Sequence, residues 1–482
     1  LMLDNVKRGF ALARSEGLQI FEGEFLAAAA QASALGGDVE TAATSLEQAA
    51  LAGANLPSSH LFRAGIFEYS QGLQRFAAGA FEEAAHFLGL ATVATQRTSL
   101  RWGEILCRVL RCVALDACGR LAEASLEAER MAREIGVESM AVPRLGMQLL
   151  AAEVAIRDGD FVSGRRILSS ALIEAERDGF GYVAFYARGL PQILAHGLRD
   201  PAHAPWLSRQ IATQRIRPSA EHLDLDVWPW AFTVRTLNGF ELRGASVSAT
   251  RKVQKAPLRL LKCLIAAGGE PLPTTSACEA LWGEEGRTAS RRMFDTTLHR
   301  LRKLLGDDVV QLTDGALTID RTRCFVDAWG FLSLADRAER RLRQDTAEAA
   351  AGQARALFDQ ALQLYRGPFL PDEDDVPFAM RFRGRLRTRF VRLVLAFAGT
   401  IEPHDWDQAV VLYDRALDTD ESAELLTQGL MRGYLARSRS AEALKEYHRC
   451  QLALHAAGAS PSEETRALYD EARGRTHAPR SN

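Results

Sequence analysis

The chain has 482 residues, 47% of them apolar and 25% charged, with a formal net charge of −2. These are ordinary globular values, and the length suits about three domains of typical size. They exclude a polyelectrolyte or a long disordered tail, no run approaches the ~18 consecutive apolar residues of a spanning helix, and the opening LMLDNVKRGF lacks the apolar core of a secretory signal.

In chain order, the first half carries an internal repeat. Gly37-Asp-Val39-Glu-Thr-Ala42, Gly79-Ala-Phe81-Glu-Glu-Ala84, Gly119-Arg-Leu121-Ala-Glu-Ala124 and Gly159-Asp-Phe161-Val-Ser-Gly164 recur at offsets of 42, 40 and 40 residues. Each predicts a helical hairpin. Gly permits the turn, the apolar residue two positions later anchors the next helix, and the small residue three further on lets the paired helix approach closely. Such hairpins bury a continuous core only against their neighbours, so they must stack. They resemble the tetratricopeptide-like repeats of MalT-like regulators. That resemblance implies a superhelix whose groove receives a small-molecule or protein effector.

Pro201, Pro205, Pro218 and Pro229 interrupt helical periodicity between residues 197 and 230. Trp206, Trp228 and Trp230 predict that this boundary packs rather than floats.

Next comes FTVRTLNGFEL, Phe232 to Leu242, with Asn238-Gly239 between two alternating runs, a strong hairpin signal because both central turn residues need positive φ. Lys255 to Ala267 reads as a helix with Pro257 in its first turn, Leu258, Leu261, Leu264 and Ile265 as its seam, and Gly268-Gly269 as its stop. Thr274 to Trp282 is a shorter helix closed by Gly283. RRMFDTTLHRLRKLLG, Arg291 to Gly306, is the most telling stretch. Phe294, Leu298, Leu301 and Leu305 make one apolar stripe, and Arg292, Asp295, Thr296, His299, Arg300 and Lys303 fall on the opposite face. VVQLTDGALTID, Val309 to Asp320, is a second hairpin around Asp314-Gly315. Between residues 231 and 330 there are 15 Lys and Arg against 11 Asp and Glu, so the surplus of positive charge lies in this segment.

Strands, three helices and a hairpin resemble the OmpR/PhoB-type winged helix, in the bacterial transcriptional activator form found in antibiotic regulatory proteins of actinomycetes. The matching marks are the first hairpin, ALWG at Ala280 to Gly283, HRLRKLLG at His299 to Gly306, and the wing. The resemblance implies double-stranded DNA as a partner, with the helix from Arg291 entering the major groove. On the helical wheel and by that resemblance, Arg292, Thr296 and Arg300 are the candidates for base or adjacent phosphate contacts, flanked by Asp295 and His299. Arg302 and Lys303, nearer the helix end, and Lys252, Lys255 and Arg259, before and in the first helix, are phosphate candidates. The wing turn Thr313-Asp314-Gly315-Ala316 departs from the pattern. It has no Arg for the minor groove and an acid that phosphates would repel.

Behind the wing, FVDAWGFLSLADRAER, LYRGPFLPD (Leu364 to Asp372) and ALKEYHRCQLALHAAGASPSEETRALYDE are similar to the helical activator domain that accompanies this winged helix. Helices are expected over Asp327 to Arg343 and Ala347 to Tyr365, then a loop marked by Pro368, Pro371 and Pro377. Ala409 and Tyr413 align with Ala443 and Tyr447 at an offset of 34, which predicts two tetratricopeptide hairpins beginning at Trp406 to Leu417 and Ala441 to Leu454. RFRGRLRTRFVR, Arg381 to Arg392, spreads its charge around a helix axis and reads as a solvated or interdomain helix.

Seven scattered cysteines, Cys107, Cys112, Cys118, Cys263, Cys278, Cys324 and Cys450, show no paired metal spacing and are expected as reduced thiols of a cytoplasmic protein. No phosphate-binding loop, dinucleotide fingerprint, HExxH or nucleophile elbow occurs, so neither an enzyme nor a cofactor or metal is expected. The first residue is Leu1 rather than Met, as in a piece of a longer chain; the ATP-hydrolysing module that some relatives carry would lie upstream.

The expected fold is mainly α. A tetratricopeptide-like superhelix over residues 1–225 precedes a winged helix-turn-helix with small β-hairpins over 226–325 and a second tetratricopeptide-like activator domain over 326–475. The expected function is a DNA-binding transcriptional regulator, of activator type, with no membrane partner; the resemblance to the activator domain further implies a homodimer on directly repeated half-sites and contact with RNA polymerase. Two alternatives remain open: a repeat scaffold whose winged helix binds protein, and a sensor subunit that never touches DNA.

Overall fold

The computed structural model describes residues 2–18, 21–53, 61–134, 140–218, 220–244, 255–283, 291–344, 348–373 and 376–477. They are mainly helical and form two compact units, Leu1–His222 with Val227–Pro229, and Leu223–Asp226 with Trp230–Asn482.

In the first unit, α1 (Met2–Ser15) precedes four hairpins: α2 (Glu22–Leu35) with α3 (Val39–Gly53), α4 (Leu61–Ala77) with α5 (Phe81–Arg97), α6 (Arg101–Ala117) with α7 (Leu121–Glu134), and α8 (Ala141–Arg157) with α9 (Phe161–Arg177). Gly37, Gly79, Gly119 and Gly159 occupy the four turns with φ of 79°, 79°, 82° and 93°. At each turn two N–H groups reach back to the finished helix, as Gly37 N does to Ala34 O at 3.0 Å and Asp38 N to Ser33 O at 2.9 Å. This pattern satisfies carbonyls that the helix end would otherwise leave open.

The small residue of each repeat sits at the helix contact. Ala42, Ala84 and Ala124 are buried, and a Cβ at Gly164 would stand 2.6 Å from Ile156 Cγ1. The apolar residue two after the glycine anchors less than expected. Val39, Phe81 and Phe161 are only half-buried and Leu121 is 41% exposed, because the first residue of the returning helix lies at the open edge beside the turn.

The following segment was not legible as structure. Helices α10 (Tyr182–Tyr186), α11 (Pro191–Arg199) and α12 (Ala204–Thr213) run back along the turn ends of the hairpins as a strap. Pro205 stands in the first turn of α12, where a missing N–H costs nothing, so it helps to start a helix rather than interrupt one. Glu153 near the end of α8 accepts the N–H groups of Gln192 and Ile193 at 3.2 and 3.1 Å. Gly189 lies so close to Val113, Phe76 and Ala117 that a Cβ would meet them at 3.0, 3.2 and 3.3 Å. Arg188 donates to Ala77 O at 3.4 Å and Gln214 O at 2.8 Å. At the first hairpin, a Cβ on Gly37 would stand 2.1 Å from Gln214 O. The strap thus touches all four repeats.

The second unit runs β1 (Phe232–Arg235), β2 (Glu241–Gly244), α13 (Lys255–Ala266), β3 (Leu272–Pro273), α14 (Thr274–Trp282), α15 (Arg291–Leu305), β4 (Val310–Thr313), β5 (Ala316–Ile319) and β6 (Cys324–Val326). It continues with α16 (Asp327–Gln344), α17 (Glu348–Leu364), α18 (Pro377–Ile401), α19 (Trp406–Thr419), α20 (Glu424–Ala436), α21 (Ser440–Ala456) and α22 (Glu463–His477). The expected start of the second long helix, Ala347, lies outside the described residues. One sheet has the order β2-β1-β6, with β1 antiparallel to β2 and parallel to β6; the other has the antiparallel order β3-β5-β4. Strands β3 and β6, two and three residues long, are too short to show alternation and were not foreseen.

One apolar core extends from Phe232 to Ala472, continuous across Val326. Asp327, at the start of α16, fastens it. Its buried carboxylate accepts from Thr236 N, Thr236 Oγ1, Leu237 N and Ala328 N at 2.7 to 3.0 Å, joining the end of β1 to α16. The LYRGPFLPD segment docks on the same hairpin: Asn238 N donates to Pro368 O, Leu370 N donates to Thr236 O, and Phe369 is buried. Of the six arginines of α18, Arg381, Arg385 and Arg392 are exposed, as a solvated face would have them, and the other three are braces. Arg383 donates to the carbonyls of Phe369 and Leu370, Arg387 pairs with Asp420, and Arg389 pairs with Asp336 and Glu339.

Candidate nucleic-acid interface

Helix α15 forms where the sequence has four apolar residues at helical spacing and no Gly or Pro. Phe294, Leu298, Leu301 and Leu305 are all buried, and the helix packs on α13 and beside β4. Burying this stripe turns Arg292, Asp295, Thr296, His299, Arg300 and Lys303 outward, and all six are exposed. Guanidinium and ammonium donors, a carboxylate acceptor and an imidazole therefore share one face.

Two hydroxyls are partly used within the helix. Thr296 Oγ1 donates to Arg292 O at 2.7 Å, leaving its lone pairs rather than its proton for an outside partner, and the buried Thr297 donates to Met293 O at 2.9 Å. Arg302 differs from its neighbours. It is half-buried and its Nε donates to Val310 O at 2.9 Å, tying α15 to β4, a role that only the tertiary fold reveals.

On α13, Lys255 and Arg259 are exposed while Pro257, Leu260, Leu261, Leu264 and Ile265 are buried. Lys252 lies outside the described residues. Lys262, on the same helix, pairs with Glu373 and lies 4.6 Å from the ring centre of Phe240. Trp329 Nε1 donates to Ile265 O at 2.9 Å, holding the end of α13 against α16. The turn between β4 and β5 places Asp314 and Gly315 at φ of 51° and 77°, and Thr274 N donates to Gly315 O at 2.9 Å, so this exposed turn is tied to the start of α14.

Met293 escaped the sequence reading. It is 49% exposed on the candidate face, one turn before Thr296 and two before Arg300. The spacing could have found it.

Among the described residues no group of His, Cys, Asp and Glu side chains is arranged to hold a metal ion, and no helix is long and apolar enough to cross a membrane. The seven cysteines are free. Burial pushes the thiols of Cys107, Cys112 and Cys324 up to about 12 and that of Cys263 to about 11, which keeps these four protonated and unreactive near neutral pH.

Residues 326–473 match the family described as the bacterial transcriptional activator domain. Comparison with curated proteins gives no match. Among solved structures, Mycobacterium tuberculosis EmbR in complex with a low affinity phosphopeptide is similar at 20% identity, covering 52% of this chain and 66% of that one, with a TM-score of 0.37. The chain thus spans just under two thirds of that structure's length.

Proposed function

We propose that this chain is a sequence-specific transcriptional regulator of activator type. The observation that carries the reading is α15: a helix with its apolar stripe in the core and Arg292, Asp295, Thr296, His299, Arg300 and Lys303 exposed along the other side. The activator-domain match over the residues directly behind it supports the same reading. B-DNA's major groove admits one α-helix, and a bidentate Arg on guanine is its commonest specific contact.

On this reading residues 226–325 are an OmpR/PhoB-type winged helix, with α15 in the groove. Arg292 and Arg300 read base edges, Asp295 orients a neighbouring Arg or accepts from a cytosine amino group, and Lys255, Arg259 and Lys303 meet phosphates. Residues 326–475 hold two copies on directly repeated half-sites and contact RNA polymerase. Residues 1–225 are the tetratricopeptide-like input that receives a small-molecule or protein effector.

Selection of duplexes from a random library by the full chain tests the reading. Direct repeats with half-sites about one helical turn apart are the expected product. Arg300→Ala should cost on the order of 1 to 3 kcal/mol and relax preference at one base pair, whereas Lys255→Ala should weaken all duplexes alike and flatten the salt dependence by about one unit. No enrichment would favour the scaffold alternative, in which the acid at Asp314 suits a protein partner better than phosphate.

A further inference from the structure

Met293 is the one large apolar side chain of α15 that is half out of the core; Phe294, Leu298, Leu301 and Leu305 are buried and Leu304 is partly buried against the core. A single exposed apolar residue is common on any surface, so its exposure alone carries little. Its neighbours give it meaning. Met293 shares a stripe with Thr296 and Arg300, and it lies in the first turn of α15, beside Arg292. The first residues of a groove-bound recognition helix are those that meet base edges.

Each major-groove edge has its own chemistry, and the one apolar group displayed there is the C5-methyl of thymine. A flexible thioether side chain fits around such a methyl without demanding one fixed geometry. The Thr296 hydroxyl, already donating to Arg292 O, leaves Arg292 and Arg300 as the strong donors on either side of Met293.

We propose that Met293 is a specificity-determining residue that recognises a thymine methyl in the major groove, next to the base pairs faced by Arg292 and Arg300. This rests on the DNA-reading role given above to α15, and names the chemistry of one further base in its site. The gain from burying one methyl is about fourfold in affinity. The effect is therefore one of preference rather than of gross binding.

The test uses the full chain and the duplex it enriches from a random library. Each thymine in a half-site is replaced in turn by uracil, which lacks only the methyl, and affinity is read by anisotropy. At one position the wild type should lose about fourfold on replacement; Met293→Ala should bind the thymine duplex about as weakly as the wild type binds the uracil one, and no longer distinguish the two. Met293→Leu should keep the distinction. Specific binding of an enriched duplex with no uracil-sensitive position, or with the same uracil sensitivity in Met293→Ala, overturns the proposal but leaves the DNA-reading role standing. No enriched duplex at all overturns both.

Discussion

At the residue scale, two buried carboxyl groups each fasten a neighbouring element by accepting backbone N–H groups. Asp327 has five donor contacts from the backbone and side chain of β1's end and from Ala328. Burial pushes its carboxyl up, while the Thr236 hydroxyl and the N–H groups of Leu237, Thr236 and Ala328 pull it back. Asp327→Asn puts an NH2 where an oxygen accepted, stranding buried N–H donors, and should destabilise the second unit by on the order of 3 kcal/mol. An unchanged urea midpoint would remove Asp327 as the fastener. In the first unit, burial pushes Glu153 up to about 7 against the lowering effect of the Gln192 and Ile193 N–H groups. Its native state keeps a proton that the unfolded chain releases, so this contribution is full below the ordinary carboxylate range and is lost as pH rises to about 7. His196 runs the other way. Burial, aided by Arg165 and Arg199, pushes it down to about 4, so the unfolded chain takes up the proton first and stability rises with pH from about 4 to 6.5. The two slopes oppose each other between about pH 5 and 6.5. Glu153→Gln should leave the stability of the first unit rising across that window, and His196→Asn should leave it falling. Urea midpoints at both ends of the window check this, and the same pH slope in all three proteins would contradict it.

At the element scale, the four turn glycines are alike in φ but not in surroundings. Nothing stands within 4 Å of a Cβ placed on Gly79, Gly119 or Gly159, whereas one on Gly37 meets Gln214 O of the strap at 2.1 Å. Gly79→Ala should cost about 1 kcal/mol, the penalty of a left-handed residue with a Cβ. Gly37→Ala adds displacement of the strap and should cost at least about 1 kcal/mol more. Equal thermal shifts for the two variants would mean that the strap does not lie on the first hairpin in solution. The contrast also explains which elements could be read from sequence. The repeat turns, the Asn238-Gly239 hairpin and the seam of α15 were legible because glycine conformation and helical period act within a few residues. The strap was not, because its helices of 5 to 10 residues are held by groups such as Glu153 and Ala77 that are remote in sequence. Of the candidate face, the charged residues were readable from the wheel, but Arg302's bond to Val310 needed β4 in place. Met293 belongs to neither the charged set nor the seam of Phe294, Leu298, Leu301 and Leu305, and only its spacing to Thr296 and Arg300 marks it.

At the scale of the whole molecule, a net charge of −2 conceals a surplus of four positive charges between residues 231 and 330, balanced by acids elsewhere. Long-range attraction of the whole chain to a polyanion is therefore weak, and on the proposed reading DNA binding has to come from the few cations that α13 and α15 present. Five of the candidate cations are exposed: Lys255, Arg259, Arg292, Arg300 and Lys303. If each neutralises one phosphate, the slope of log affinity against log salt is about −4 to −5 for one bound copy and about −9 for two. That measurement separates the monomeric from the paired form of the proposed regulator without any structure of the complex. A slope near −9 that halves when the site is cut to a single half-site is the expected result for a chain that reads a direct repeat as two copies. A slope near zero, at any affinity, would mean that α15 meets something other than a phosphate backbone, since no counterions would then be released on binding.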